Sequence, residues 1–284
     1  MNYLLYNRLA NGGKGEEEAK IALEFLSTKF GDIKEISAVD LDVVDFLNNA
    51  SESDLLILLG GDGTLNNFVN RLGDLKLDIP VYLYPAGTGN DFLNDVKSAQ
   101  DPDTHLVKLN DYINHLPKVL VNGRTYRFVN GIGFGIDGDC CVVAENKKAA
   151  GETSIDYGKI TVDLLLHSYV PRVAKVKVDR VEFDIKKAYL ASAMNGRYYG
   201  GGMMIAPSQD RASGLLTFVS IHGRGKLGTL LMFPKLFKGT HVKDKKHCFI
   251  KQGREIEVTF DRPCGLQIDG DVVNGVTTYK AWIA

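Results

Sequence analysis

Cysteine is scarce and badly placed for chemistry: Cys140, Cys141, Cys248 and Cys264 form no C-x-x-C pair. An adjacent couple suits neither a disulfide framework nor a zinc site, so a reducing compartment is expected. An excess of one charge is missing too. Lysine and arginine total 34 against 35 acids, a formal net charge of −1, which lacks the cationic surplus that broad nucleic-acid binding requires. No segment approaches the roughly 20 apolar residues of a membrane-spanning helix. Met1 to Tyr6 lacks the basic start and long apolar core of a signal peptide and is expected as a first strand. Internal repeats and low-complexity tracts are absent, which excludes solenoids and disordered linkers. A cytoplasmic globular chain is expected, and its 284 residues, 44% of them hydrophobic, suffice for two cored units.

What is present changes texture along the chain. Up to about Asn114, short apolar runs alternate with helical patterns: strands are expected at Tyr3–Tyr6, Ile33–Val39, Leu55–Leu59 and Val81–Tyr84, with helices opening at Glu16 and spanning Leu41–Leu47 and Leu65–Leu72. Such a βαβ series predicts an α/β domain with a mostly parallel sheet. From about Lys118 the pattern is strand after strand, starting with a hairpin across Asn122-Gly123. Further strands are expected at Val173–Ile185, Ala188–Met194, Leu215–Ile221, Phe249–Ile250 and Ile256–Phe260, and helical periodicity returns once, at Ile155–Tyr169. The expected division is residues 1–115, a nucleotide-binding α/β domain, and 116–284, a β-sandwich-like substrate domain, with the last residues free to return to the first.

Two loops at strand ends carry the chemistry. Leu55–Leu59 runs into Gly60-Gly61-Asp62-Gly63-Thr64, and Val81–Tyr84 runs into Pro85-Ala86-Gly87-Thr88-Gly89-Asn90-Asp91-Phe92. Each sets glycines, which let a backbone turn sharply and approach a ligand closely, beside a hydroxyl and an acid. One such loop alone is more often a plain turn. Two in succession suit a polyphosphate and its cation.

The ordered pair G-G-D-G-T and P-x-G-T-G-N-D-F resembles the diacylglycerol kinase catalytic domain family, which includes sphingosine kinases and bacterial lipid kinases. The resemblance continues through Asn130–Asp137, through Asn195–Pro207, which is similar to the family's N-x-x-Y-x-G-G-G-x-x-I-A-P, and through Leu266–Asp271, which is similar to its L-Q-x-D-G-E. It implies ATP-dependent phosphoryl transfer to a lipid hydroxyl such as that of diacylglycerol, with Mg2+. Carried over residue by residue, it implies nucleotide contacts from Asn7, Lys14, Ser37, Gly60, Gly61, Asp62, Gly63, Thr64, Thr88, Gly89 and Asn90, a magnesium network at Asp62 and Asp91, and a base among Asp271, Asp269 and Asp62. As an exposed loop acid, Asp62 is expected to tolerate substitution without loss of fold.

The chain departs from the family at four places. Arg8 replaces a proline in the first loop, Ser213 and Thr217 replace two acids of a D-G-L-L-D segment, and Asp271 replaces a glutamate. Because the first of those lost acids helps hold a structural magnesium in some bacterial members, no structural metal is expected here. G-G-D-G-T also occurs in NAD kinases, so a soluble-metabolite kinase stays as the alternative, as does an inactive nucleotide-binding regulator. The Asp269-Gly270-Asp271 stretch reads on its own as a hairpin turn.

The segment Arg224–His247 interleaves apolar residues with lysines, a pattern that suits transient contact with an anionic membrane from a peripheral position. A connector packed on the sandwich gives the same pattern. Exposed edge strands leave a homodimer open.

Overall fold

Leu55–Gly60 is apolar on both faces, as a strand covered by helices must be, and it becomes the central strand of the first sheet. The computed structural model describes every residue except Leu9, Asp40, Thr88, Gly89 and Thr153, and only the backbone at Asn11 and Gly12. It divides into two compact units, Met1–Leu116 and Pro117–Ala284.

In chain order the first unit comprises β1 (Asn2–Tyr6), α1 (Ala10–Gly13), α2 (Gly15–Phe30), β2 (Ile33–Ser37), α3 (Val43–Asn48), β3 (Leu55–Gly60), α4 (Asp62–Leu72), β4 (Val81–Pro85), α5 (Asp91–Val96), β5 (Val107–Lys108) and α6 (Asn110–Ile113). The sheet order is β2-β1-β3-β4-β5, parallel except for β4 with β5. The expected α/β architecture is therefore observed. Three acids, Glu16 to Glu18, open α2 in its first turn, where the helix dipole favours them, and the helix buries Ala19, Ala22 and Leu26 against Leu4, Ile57 and Leu59. The second strand stops at Ser37 rather than Val39, and Asp42 caps the following helix by accepting from the Val44 and Asp45 N–H groups.

The second unit comprises β6 (Lys118–Val121), β7 (Arg124–Arg127), β8 (Gly131–Phe134), α7 (Ile136–Ala149), α8 (Tyr157–Asp163), β9 (Arg172–Val178), β10 (Val181–Met194), β11 (Leu216–His222), α9 (Lys226–Leu230), α10 (Phe233–Phe237), β12 (Cys248–Gly253), β13 (Glu255–Ile268) and β14 (Asp271–Trp282). The strands run β12-β11-β10-β8-β13-β14-β6-β7, and β9 pairs with both β10 and β13. The two 14-residue strands β10 and β13 each pair with β9 in their first half and with β8 in their second. Register shifts at Ile185/Ala188 and Thr259/Cys264 let them bend between layers. The result is the expected β-rich sandwich, with Phe134 stacked on Phe260 and meeting Tyr279 edge-on in its core.

Several elements differ from the sequence reading. The run Val173–Ile185 is two strands, broken at Asp179, whose φ is 52°. Helix α7 was not expected, because its sequence, I-D-G-D-C-C-V-V-A-E-N-K-K-A, has little amphipathic period. It is held by tertiary contact instead. A Cβ on Gly138 would lie 2.1 Å from the Gly265 carbonyl oxygen, so helix and strand touch backbone to backbone, and Asp139 accepts from the Gly265 N–H at 2.7 Å. Strand β14 and the far half of β13 were also missed.

Candidate active site

In the first unit the chain runs from β1 outward to β2 and then back past β1 to β3, so the order reverses between β1 and β3. A crevice at the carboxyl ends of parallel strands is expected at such a reversal. A cleft lies there, lined by Tyr6 and Asn7 after β1, by Leu59 and Gly60 to Thr64 after β3, and by Ala86 and Gly87 after β4. Helix α4 begins in this cleft. Its first intrahelical bond is from the Leu65 N–H to the Gly61 oxygen, at 3.1 Å, which leaves the N–H groups of Asp62, Gly63 and Thr64 without helical acceptors. Those donors and the positive end of the helix dipole suit phosphate oxygens.

The glycines have separate tasks. A Cβ on Gly15 would come within 2.0 Å of the Asn7 carbonyl oxygen, so only glycine lets α2 start this close to the end of β1. A Cβ on Gly60 would strike the Thr64 side chain, whereas nothing lies within 4 Å of one placed on Gly63. The first glycine closes the loop and the second leaves its surface open.

Asp62 joins the two loops. Its Oδ2 accepts from the Asp91 N–H at 2.7 Å and its Oδ1 from the Phe92 N–H at 2.9 Å, so this half-buried carboxylate caps α5 from 29 residues away. These bonds give Asp62 a part in joining the two loops, which its reading as an exposed loop acid did not include. Asp91 begins α5 and is buried. The Asn90 amide donates to the Gly87 oxygen at 3.1 Å, closing the second loop. Thr88 and Gly89 lie outside the described residues.

Of the described residues assigned from sequence, Lys14, Ser37, Asn90 and Asp91 are not among those that line the cleft. Lys14 is exposed just before α2. Ser37 lines a different groove, with Tyr3, Asp42 and Phe46, where its Oγ accepts from the Val39 N–H at 3.4 Å.

The second unit holds the other acids. Ile268 pairs with Asp271, and the two residues between them, Asp269 and Gly270, have φ of 49° and 99°. Positive φ at both central positions is the geometry of a type I′ hairpin turn. The Asp269 carboxylate accepts from three successive backbone N–H groups, Val129, Asn130 (2.8 Å) and Gly131 (2.9 Å), and is committed to holding that segment. Arg211 grips the same segment by donating to the Val129 oxygen and to Asn130 Oδ1. Asp271, by contrast, is exposed at the first position of β14.

A polar chain that the sequence reading left without a role runs inward from this turn. The Gly270 N–H donates to Gln267 Oε1 at 2.7 Å, and Gln267 Nε2 donates to Asp137 Oδ2 at 2.9 Å. Gly133 makes room for this, since a Cβ there would lie 1.7 Å from Asp137 Oδ2. Burial, and after it the charge of Asp137, pushes the Tyr199 hydroxyl well above the ordinary phenol range, so it stays protonated beside the carboxylate. Asp137 and Tyr199 border a cavity whose other walls include Ile136, Leu190, Ile205, Ile221, Met232 and Leu236. Asp137 is the only charged residue among its described lining residues. The one available signal was an acid immediately after a glycine-rich strand end, Gly133-Phe134-Gly135-Ile136-Asp137.

Where the family carries two further acids, this chain has closed neutral networks. The Thr217 hydroxyl, fully buried, donates to Gln209 Oε1 and accepts from Gln252 Nε2 at 3.1 Å, while Gln209 Nε2 donates to the Leu215 oxygen at 2.8 Å. Ser213 donates to the Asp210 oxygen at 2.7 Å. Among the described residues no three histidines, cysteines or acids converge. Burial pushes the Cys140 and Cys248 thiols up to about 11 and Cys264 to about 12, which disfavours thiolate chemistry.

Comparison with known proteins matches two stretches of the chain. Residues 2–118 match the diacylglycerol kinase catalytic domain and residues 130–281 the YegS C-terminal NAD kinase beta sandwich-like domain. A diacylglycerol kinase of Mycobacterium tuberculosis is 26% identical over 262 residues, covering 84% of this chain and 79% of that protein. Among solved structures, a diacylglycerol kinase from Bacillus anthracis str. Sterne has a TM-score of 0.64 at 20% identity, covering 99% of this chain and 93% of that one. Yeast NADH kinase complexed with NADH shares the fold more distantly, with a TM-score of 0.53 at 13% identity, covering 100% of this chain and 78% of that one. With both domain matches in order along it, the chain belongs to the kinase family that joins a diacylglycerol kinase catalytic domain to a YegS-type sandwich.

Proposed function

We propose that this family member is an ATP-dependent lipid kinase that transfers a γ-phosphoryl group to a lipid hydroxyl, such as that of diacylglycerol. The observation that carries the lipid reading is the cavity of the second unit, apolar on nearly every wall with one acid on its border. A dinucleotide acceptor would leave most of its polar groups unpaired against such walls, whereas a hydrocarbon chain is driven in by leaving water. A polar anchor in an otherwise apolar site is also what fixes the orientation of an amphipathic ligand. The cavity is narrow, about 50 Å³, little more than one water's share of liquid, roughly 30 Å³. An acyl chain must therefore displace part of the wall as it enters.

The residues divide the work as follows. The N–H groups of Asp62, Gly63 and Thr64 receive phosphate oxygens, and the second loop, through Thr88, Gly89 and Asn90, completes the nucleotide contacts. The donor set fits a nucleotide-borne cation, a hard ion that takes carboxylate oxygens: Asp62 and Asp91 stand side by side where the two loops meet. Bound Mg2+ would neutralise charge on the phosphate oxygens. Asp137, held in place by Gln267, orients the acceptor head. Asp271 takes the proton of the acceptor hydroxyl as its oxygen bonds to the γ-phosphorus and the bond to the departing ADP oxygen breaks. Asp269, occupied by three backbone donors, positions the turn.

The test is incubation of the full chain with γ-labelled ATP and, separately, diacylglycerol, a sphingoid base, a polyprenol, a glycolipid and NAD, with products identified by mass spectrometry. A labelled lipid is expected. Label on NAD alone would replace the reading with a soluble-metabolite kinase, and ATP binding without any labelled product would make the chain a nucleotide-binding regulator.

A further inference from the structure

The segment between β11 and β12 presents two apolar faces. One face, through Thr229, Met232, Phe233 and Leu236, forms a wall of the apolar cavity. The other is turned outward: Leu227 is 70% exposed, Leu231 71% and Phe237 51%. Leu227 and Leu231 stand one helical turn apart, as the 3.1 Å bond from the Leu231 N–H to the Leu227 oxygen shows, and so share one side of α9. Single exposed apolar side chains are ordinary, but three large ones within eleven residues form a patch that asks for an occupant.

Charge indicates which one. From His222 to Lys243 there is no acid, while Arg224, Lys226, Lys235, Lys238 and Lys243 fall in that stretch. Arg224 is paired with Asp244, and Lys226 donates to the Leu166 oxygen at 3.0 Å. Lys235, Lys238 and Lys243 are exposed beside the apolar residues, as are Lys245 and Lys246 just beyond. Exposed leucine and phenylalanine fringed by lysines match a surface of buried acyl chains and anionic head groups. Pro234 accounts for the bend into two short helices, because it sits in the first turn of α10, where its missing N–H costs nothing.

We propose that α9 and α10 dock on an anionic bilayer by their outer face, so that the element touching the membrane is also the wall of the acceptor cavity. The proposal rests on the lipid-acceptor reading and names that acceptor's source: a chain drawn from the bilayer reaches the cavity at the element that must move to admit it. A connector packed on the sandwich accounts for the buried Met232 and Leu236 but not for Leu227 and Leu231, which the structure exposes.

Co-sedimentation of the full chain with phosphatidylserine/phosphatidylcholine vesicles, without ATP, tests the docking directly. Leu227→Ser with Leu231→Ser is expected to weaken binding at least tenfold, since burying one such side chain is worth on the order of tenfold in affinity. Lys235→Glu with Lys238→Glu is expected to weaken binding about tenfold on anionic vesicles and to change nothing on pure phosphatidylcholine. Both variants alter exposed side chains outside the cavity lining, so both should phosphorylate a dispersed short-chain acceptor normally while losing activity on vesicle-embedded acceptor. Undiminished vesicle binding by both variants overturns the proposal. So does a shift from dimer to monomer in size-exclusion chromatography with vesicle binding intact, which would assign the face to a second copy. If no lipid is phosphorylated by any protein yet the variants still lose vesicle binding, the kinase reading fails and the docking surface stands.

Discussion

Replacing Asp62 by asparagine keeps the side chain's size while removing its charge and one of its two acceptor oxygens. In the native protein both oxygens accept backbone N–H groups at the start of α5, at 2.7 and 2.9 Å. Bonds to an ionised acceptor contribute about 1.5–3 kcal/mol each. The asparagine amide can satisfy one N–H with a neutral bond and must present its own NH2 to the other, so one bond is lost and one weakened. For a half-buried group the expected cost is about 2 kcal/mol, confined to the junction of the two glycine loops. Native-state hydrogen exchange reads it locally: the Asp91 and Phe92 amides should lose about 30-fold in protection, since a tenfold change corresponds to about 1.4 kcal/mol. Phosphoryl transfer should be abolished in the same variant, because the loop that carries the phosphate donors is no longer fixed to its partner. Unchanged protection at both amides would refute the bridge, and protection lost with turnover intact would remove Asp62 from the catalytic machinery.

Four further outcomes are expected. Asp271→Asn should cut turnover far more than ATP affinity, and Asp271→Glu should stay active. Asp269→Asn should instead destabilise the second unit by about 3 kcal/mol, from the loss or weakening of three charge-assisted bonds, visible in denaturant unfolding; a stable Asp269→Asn protein would show the 129–131 clamp to be dispensable. Chelator should stop transfer without lowering the Tm of the nucleotide-free protein, because Thr217 and Ser213 sit in complete neutral networks; a large fall in Tm would reveal a structural cation. His241 is fully buried, with Nε2 at 3.0 Å from the Ile205 oxygen, and burial holds its imidazole below the usual value although backbone bonds oppose this. The unfolded chain then binds a proton more readily than the folded one near pH 6.5, so stability is complete above that pH and falls as pH drops toward the folded value, by up to about 1.4 kcal/mol per unit. His241→Gln should flatten that slope in urea titrations run between pH 7.5 and 5.5, and an unchanged slope would assign it to other groups.

What could be read from the sequence was whatever local chemistry dictates. Leu55–Gly60 is apolar enough to be a central strand wherever it lies, and glycines bracketing an acid at its end signal a phosphate-type loop before any partner is known. Asn122-Gly123 forms its hairpin with φ of 48° and 77°, as the residue types demand. Tertiary facts were not readable in this way. Asp62 looked like an exposed loop acid because its partners lie 29 and 30 residues away. Helix α7 has no period to detect, since what holds it is the contact of Gly138 with Gly265 across 127 residues of chain. Bulges interrupt β13 and shift its pairing with β14, which hides the two-residue alternation that marks a strand.

The Asp269-Gly270-Asp271 stretch shows why a structural and a functional reading of one motif need not compete. The turn needs positive φ at two successive residues, which glycine adopts freely and aspartate tolerates better than most. Asp269 then uses its carboxylate to fasten the turn to the strand that opens with Gly131, and Gln267 fastens the same turn to Asp137 at the cavity. Asp271, next along the chain, stays exposed at a position those bonds fix relative to the cavity wall. A shorter acid than the family's glutamate can serve here if the frame that carries it is placed to suit. Loosening that frame, by Gln267→Leu, should therefore lower turnover on a lipid acceptor while leaving ATP affinity unchanged, since none of the frame's residues belongs to the first unit. A loss of ATP affinity instead would show that the frame acts on the nucleotide and not on the acceptor.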